Sequence, residues 1–155
     1  METDRVRNTD SVAVKSQLTH ILRAHRMTQK VILDASFLID APRFHVNIIE
    51  ELNRCIPHTV EAVVLSPTLS ELASMKGWRS TKDSKAASLA LAIAGAFPVE
   101  EVQRKPEEKV DDLILRIALE RHWAVATDDR ALRRRLTDNN IYTIFVRQKS
   151  HLEGR

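Results

Sequence analysis

The chain carries a single cysteine, Cys55, in 155 residues. One thiol excludes a disulfide scaffold and any cysteine-rich zinc site, and it suits a reducing compartment. Glycine is nearly as scarce, with three residues, which removes Gly-rich phosphate loops along with fibrous and low-complexity classes. Aromatic residues make up 5%, too few for stacking on unpaired bases to be evident. No apolar run approaches the ~18–20 residues of a membrane span, and METDRVRNTD has no apolar core of a secretory leader. The expectation is a soluble, cytoplasmic domain with no membrane partner. A domain of this length buries ~68–70% of its unfolded surface, so it needs no disulfide or structural metal to fold.

Charge is informative in its distribution. Lys and Arg number 24 against 21 Asp and Glu, a net of +3, which alone argues only weakly for nucleic acid. The basic residues gather locally, in Arg130 with Arg133-Arg134-Arg135 and in Arg147 with Lys149. Several acids stand alone beside apolar stretches. The histidines form no site: His20 and His25 are five apart, not the i, i+4 of a helical metal pair.

Along the chain, short β-branched apolar runs alternate with helical patterns. Val14, Leu18, Ile21 and Leu22 predict a helix over 12–25, and Val31–Leu33 a buried strand ending at Asp34. A helix is expected over about 45–56, then a strand over Val60–Leu65, then Ser66-Pro67 as cap and first helical residue. Helices are also expected over 84–95, 110–122 and 128–136, with strands at Phe97–Val102, Trp123–Ala126 and Ile141–Val146. Strands separated by helices indicate an α/β fold: a central parallel sheet of four or five strands, helices on both faces. The organisation expected is an extension over 1–28 with one helix, a domain over 29–150 and a tail over 151–155.

In such sheets ligands bind beyond the carboxyl ends of the strands. Four segments deliver acids there: Asp34, Glu71, Asp111 with Asp112, and Asp128 with Asp129. Each has a plainer reading alone. Asp34 could cap the turn at Ser36, Glu71 could be a surface acid, and the paired aspartates could cap or open helices. Their coincidence on one rim is the signal, because four gathered carboxylates repel unless cations neutralise them. Oxygen ligands without His or Cys point to Mg²⁺ or Mn²⁺.

These blocks resemble a PIN-domain nuclease over about residues 30–149. VILDASFLID is similar to the opening strand, in which Ser36 follows the acid at two residues. LSPTLSELASM is similar to the second block, with Glu71 as its acid. VDDLILRIALERHWAVATDDRALRRRL resembles the third and fourth, with spacing from Thr127 favouring Asp111 over Asp112, and with Asp129 as the last acid. Ser36 stands where many relatives have Asn. The closing IYTIFVRQKSHLEG and the middle LALAIAG look most like archaeal PIN proteins related to ribosome-processing nucleases; VapC-type toxins share the core.

The resemblance implies a PIN-like fold with an added N-terminal helix and a Mg²⁺- or Mn²⁺-dependent endoribonuclease. Asp34 and Asp129 would be direct ligands, Asp111 and Glu71 would hold the second position or its waters, and Ser36 and Thr127 would orient them, with Asp112 in support. Arg130, Arg133, Arg134, Arg147 and Lys149 are the candidate RNA contacts, although an arginine run at i, i+3, i+4 must point some side chains elsewhere. The substrate would be RNA, with precursor rRNA and ribosome assembly as the setting. The alternatives are a VapC-type toxin with an antitoxin partner, or a PIN module that binds RNA without cutting. A homodimer is expected, since PIN relatives commonly pair. Phosphotransfer through Asp34 would need a second Asp where Ser36 stands.

Overall fold

The computed structural model describes residues 13–15, 17, 28–77, 81–147 and 151–155. Most of the helix expected over 12–25, together with His20, His25 and Lys149, lies outside these residues. Six strands form one sheet: β1 (Thr28–Leu33), β2 (Thr59–Leu65), β3 (Val99–Glu100), β4 (Ala124–Ala126), β5 (Thr143–Arg147) and β6 (His151–Gly154). Six helices are described between them: α1 (Ala35–Arg43), α2 (Ile48–Cys55), α3 (Ser66–Met75), α4 (Thr81–Ala94), α5 (Val110–Arg121) and α6 (Arg130–Asp138).

The strand order is β3-β2-β1-β4-β5-β6. The first five run parallel, with Val31 beside both Ala62 and Ala124, as the alternation of strands and helices requires. The chain leaves β1 toward β2 and β3, then returns to β1's other side for β4 and β5. The order therefore reverses between β1 and β4, and a crevice opens there at the carboxyl ends.

Alternate residues of each strand feed opposite cores, because successive side chains point to opposite faces. Val31, Leu33, Val64 and Ala126 pack with Phe37, Leu38, Leu52 and Ala90 from α1, α2 and α4. Ile32, Val63, Leu65 and Val125 pack with Leu113, Ile114, Leu132 and Leu136 from α5 and α6. A sheet buried on both sides explains why β1 and β2 read as unbroken apolar runs.

Three local features differ from the sequence pattern. α1 is an additional helix, short and carrying Pro42 in its last turn, so it gives little periodicity. Ser66 is not a cap; its hydroxyl donates to the Val102 carbonyl and accepts the Val102 N–H, fastening the β3 exit to α3. β6 lies antiparallel to β5 with Val146 beside Leu152. It is held from α2, where Arg54 donates to the Leu152 carbonyl at 2.8 Å and Glu51 accepts the Leu152 N–H at 3.2 Å. No helix among the described residues is long and apolar enough to cross a membrane.

Candidate active site

Asp34 directly follows β1 at the reversal point and is 4% exposed. Its N–H donates to the Ala126 carbonyl at 3.0 Å, continuing the β1–β4 ladder by one residue. One carboxylate oxygen, Oδ2, accepts from Ser36 Oγ and from Thr127 Oγ1, both at 2.8 Å. Thr127 is buried beyond the end of β4. Ser36 Oγ in turn accepts the N–H groups of Asp128 at 3.0 Å and Asp129 at 3.2 Å. The β4–α6 turn is thus hung on Ser36, which sets where the Asp129 side chain begins.

Asp129 is the N-cap of α6, its Oδ1 accepting the Leu132 N–H at 2.9 Å. Capping and a place at the rim coexist in this residue, with the second oxygen left over. Glu71 sits half-buried in α3 after β2, and Asp111 lies half-buried in the first turn of α5. Asp112 turns outward and pairs with Arg135 at 2.7 Å.

The four expected acids act on one another. Burial first, then the Asp129 charge, holds the Asp34 carboxyl above its ordinary range, against the pull of the Ser36 and Thr127 hydrogen bonds. Burial raises Glu71, with Asp34 and Asp111 adding to it. Burial raises Asp111 as well, with Asp34 and Asp129 adding to it. A carboxylate charge is thus disfavoured from two directions, loss of water and neighbouring like charge. Among the described residues, no three His, Cys, Asp or Glu side chains converge into a closed ligand set.

The donor set still suits a hard cation. Mg²⁺ keeps several waters and takes only one or two carboxylates directly, so it needs no closed cage. Two buried side-chain oxygens, Thr68 Oγ1 and Asp128 Oδ2, have no hydrogen-bond partner. Each lies within three residues of a candidate acid, Glu71 or Asp129, where a hydrated ion or ordered water could satisfy it.

Asp128 is the residue whose place the sequence does not disclose. Its Oδ1 accepts the Val146 N–H at 2.8 Å, tying the β4–α6 turn to β5. Burial, with the charges of Asp40 and Asp34 adding to it, pushes its carboxyl up to about 6. Arg104, in the loop after β3, is another such residue; its charge pulls the Glu71 carboxyl down. Neither belongs to a periodic pattern, and both matter through contacts made only in the folded chain.

The candidate RNA contacts divide. Arg130 and Arg134 are exposed, with no carboxylate in ion-pairing reach among the described residues. Arg133 lies over the Phe145 ring, 4.0 Å from its centre. Arg147 is engaged by Glu153. Cys55, half-buried, turns its thiol to the Leu152 carbonyl at 3.6 Å, away from the rim.

Comparison with known proteins gives a consistent result. Residues 31–149 match the family described as PIN like domain. Over 125 residues the chain is 32% identical to ribonuclease VapC4 of Methanocaldococcus jannaschii, covering 80% of this chain and 95% of that protein. The PIN domain endonuclease Utp24 superposes with a TM-score of 0.66 at 22% identity, covering 81% of this chain and 90% of that one. A domain of a functionally unknown protein from Methanocaldococcus jannaschii does so at 0.56 and 18%, covering 77% and 91%. At these identities the two structures speak to the fold alone.

Proposed function

Since the chain belongs to the PIN-like domain family, a nuclease family, we propose that it is a divalent-metal-dependent endoribonuclease working at the β1–β4 rim. The observation that supports this is the network at the sheet's reversal point, where buried Asp34 accepts from Ser36 and Thr127 and Ser36 holds the turn that leads to Asp129, with burial and neighbouring acids together raising the carboxyls of Asp34, Glu71 and Asp111. Such an arrangement is unfavourable in the metal-free protein and favourable around a cation. The ribonuclease named for the relative at 32% identity supports RNA as substrate.

Asp34 and Asp129 would hold Mg²⁺ or Mn²⁺ directly, with Asp111 and Glu71 binding the second position or its waters. When bound, the ion supplies an activated water and neutralises charge on the departing oxygen. Ser36 and Thr127 fix the orientation of the Asp34 carboxylate through their hydroxyl bonds to its Oδ2, as a residue that would hold the ion requires. Hydrolysis by water breaks the P–O3′ bond, leaving a 3′-hydroxyl and a 5′-phosphate. Arg130 and its neighbours on α6 would hold the RNA by its phosphates.

Cleavage of a structured RNA with Mg²⁺ or Mn²⁺, lost in Asp34→Asn and in excess chelator, tests this reading. Cleavage retained in Asp34→Asn overturns it. A non-cleaving RNA-binding module would bind the same RNA and leave it intact with either metal.

For the cellular role we favour ribosomal RNA processing, on the resemblance of the LALAIAG and IYTIFVRQKSHLEG segments to archaeal ribosome-related PIN proteins. The VapC name of the relative favours keeping a toxin role, with an antitoxin partner, beside it. One cut in a precursor rRNA supports processing; growth arrest relieved by the neighbouring gene supports the toxin. A homodimer belongs to the same proposal, and a monomer by light scattering at micromolar concentration would count against it.

A further inference from the structure

The loop from β3 to α5 crosses the carboxyl-end rim and links the elements that carry Glu71 and Asp111. It starts where Val102 and Ser66 bond each other at the head of α3, and it ends at Lys109, the N-cap of α5. Polar loop residues at such a place are ordinarily mobile, but here the backbone is held from several directions. Glu108 accepts from Arg116 Nε at 2.8 Å and Nη2 at 3.0 Å, one bond to each carboxylate oxygen. It also accepts the Lys105 N–H at 2.8 Å, and Arg116 donates to the Gln103 carbonyl at 3.0 Å. Glu107 adopts a left-handed φ of 62°, a conformation that a non-glycine residue keeps only where its surroundings fix it.

Arg104 rides on this loop. Its Nε donates to the Glu108 carbonyl at 3.0 Å, and its Nη2 donates to the same oxygen. The loop thereby fixes one edge of the guanidinium, while the other edge, Nη1 with the outer N–H of Nη2, has no partner among the described residues. No carboxylate among them comes within ion-pairing reach of it either, Glu108 being taken by Arg116. Its charge is nevertheless felt at Glu71, whose carboxyl it pulls down. Arg135 acts in the same way on Asp111, and Arg133 on Asp128. Arg135 is committed to Asp112 at 2.7 Å and Arg133 to the Phe145 ring. Of these three, Arg104 is the one that keeps a pre-set, unengaged pair of donors.

A phosphodiester brought to the candidate acids adds negative charge, and that charge grows on its non-bridging oxygens as water adds to phosphorus. A pre-organised donor pair at such a place stabilises the developing charge without rearranging. Arginine's planar fork matches two phosphate oxygens. In the strand order, Arg104 follows β3 on one side of β1, and α6 follows β4 on the other. The end of β1, which delivers Asp34, lies between them.

Resting on the ribonuclease reading above, we infer that Arg104 is a catalytic residue, its unengaged edge binding the non-bridging oxygens of the phosphate that is cut, from the side opposite α6. It gives up no proton. The oxygen of water joins phosphorus, the electron pair of the P–O3′ bond leaves with O3′, and Arg104 offsets the charge on the two oxygens that take no part. After the cut the same contact holds the 5′-phosphate of the product.

The test compares the full chain with Arg104→Gln, Arg104→Lys and, as a control, Lys105→Gln, an exposed neighbour on the same loop. In single-turnover assays with Mg²⁺, Arg104→Gln should cut a structured RNA roughly 100–1000-fold more slowly, the cost of removing one such donor, with RNA affinity changed far less. Arg104→Lys keeps the charge without the fork and should recover part of the rate; Lys105→Gln should match the parent. Inhibition by a short product gives a second readout. A trinucleotide with a 5′-phosphate should inhibit the parent more strongly than its 5′-hydroxyl form, and that preference should shrink roughly tenfold in Arg104→Gln, the loss of charge-assisted hydrogen bonds. Mg²⁺ affinity, read from the rise in Tm with metal, should be no weaker in Arg104→Gln, since a positive neighbour has gone. A full rate in Arg104→Gln overturns the inference, as does a slow variant with an unaltered 5′-phosphate preference. So does a variant that has lost Mg²⁺ binding, which would mark Arg104 as a holder of the acids' geometry. Melting curves in chelator should match the parent, and Arg104→Lys, still able to donate to the Glu108 carbonyl, carries the test if Arg104→Gln does not fold. The two readings fail separately: no metal-dependent cleavage by the unsubstituted chain removes the nuclease, while cleavage that Arg104→Gln matches removes this inference alone.

Discussion

The Asp34 carboxylate accepts the Thr127 hydroxyl at 2.8 Å, joining residues 93 positions apart across the point where the sheet's strand order reverses. The bond is buried, and its acceptor is a carboxylate whose charge is disfavoured there. Replacing Asp34 by Asn keeps the shape and an oxygen able to accept from Ser36 and Thr127, and removes the charge. Cleavage should fall below detection, because the residue that would bind the cation directly is gone. Thermal unfolding in chelator should show the variant as stable as the parent or more so, since one buried repulsion has been removed. A large loss of metal-free stability would mean that Asp34 is structural.

Much of this arrangement is legible in the amino-acid sequence because it follows from local chemistry. Val-Ile-Leu before Asp34 and Ala-Val-Ala before Thr127 are strands buried on both faces, and each must deliver its next residue to the rim. What is not legible depends on the paired chain. Asp128 looks like a helix cap beside Asp129, and only the β4–β5 pairing shows it accepting the Val146 N–H while Asp129 caps. β6 holds Glu and Gly in four residues and carries no strand pattern; its place comes from Arg54 and Glu51 on α2. The brevity of α1, with Pro42 in its last turn, hides it in the same way.

Adjacent acids on α5 should behave differently. Burial, with the charges of Asp34 and Asp129 adding to it, raises the Asp111 carboxyl, whereas Asp112 is paired with exposed Arg135. Asp112→Asn should lower stability by no more than about 0.2–1 kcal/mol, the range of exposed ion pairs, and leave cleavage near the parent level. Asp111→Asn should reduce cleavage by at least roughly 10–100-fold, the range for groups that hold or orient a metal. Cleavage assays on both variants decide it; equal damage would place the third acid at 112.

Metal and pH should oppose each other through the rim. Asp34, Glu71, Asp111 and Asp128 all have carboxyl groups raised by burial, so the folded chain holds protons that the unfolded chain releases. A raised carboxyl contributes stability that is full below its unfolded value and fades as pH climbs through its folded one. For Asp128 that window runs from 3.8 to about 6. Metal-free stability should therefore decline across this window, and Asp128→Asn should flatten the decline. Glu108, held down to about 2 first by its hydrogen bond from Arg116, acts only at the acid end, where its contribution is lost as pH falls from 4.5. Mg²⁺ binds the deprotonated carboxylates, so its stabilisation should grow with pH. At a hundred times Kd it should add about 2.7 kcal/mol, roughly 5–11 °C in Tm for a domain of this size. Melting curves with and without metal at several pH values test both halves.

Ser36 is the small residue on which the rim depends most. Its hydroxyl donates to Asp34 at 2.8 Å and accepts two backbone N–H groups from the β4–α6 turn. Ser36→Ala removes the acceptor and leaves those part-buried donors short of a partner. Asp129 N–H retains Thr127 Oγ1 at 3.1 Å, so the Asp128 N–H bears most of the loss. An unsatisfied buried donor costs about 1–3 kcal/mol, which corresponds to a fall in Tm of roughly 2–12 °C. Activity should suffer beyond the stability loss, because the Asp34 carboxylate loses one of its two orienting hydroxyls and the Asp129 turn loses its anchor. Ser36→Thr retains the hydroxyl and should recover part of both. If Ser36→Ala matched the parent in cleavage rate at a temperature where both are folded, the hydroxyl would have no part in orienting the site. The Asp34–Thr127 bond would then be sufficient to hold it.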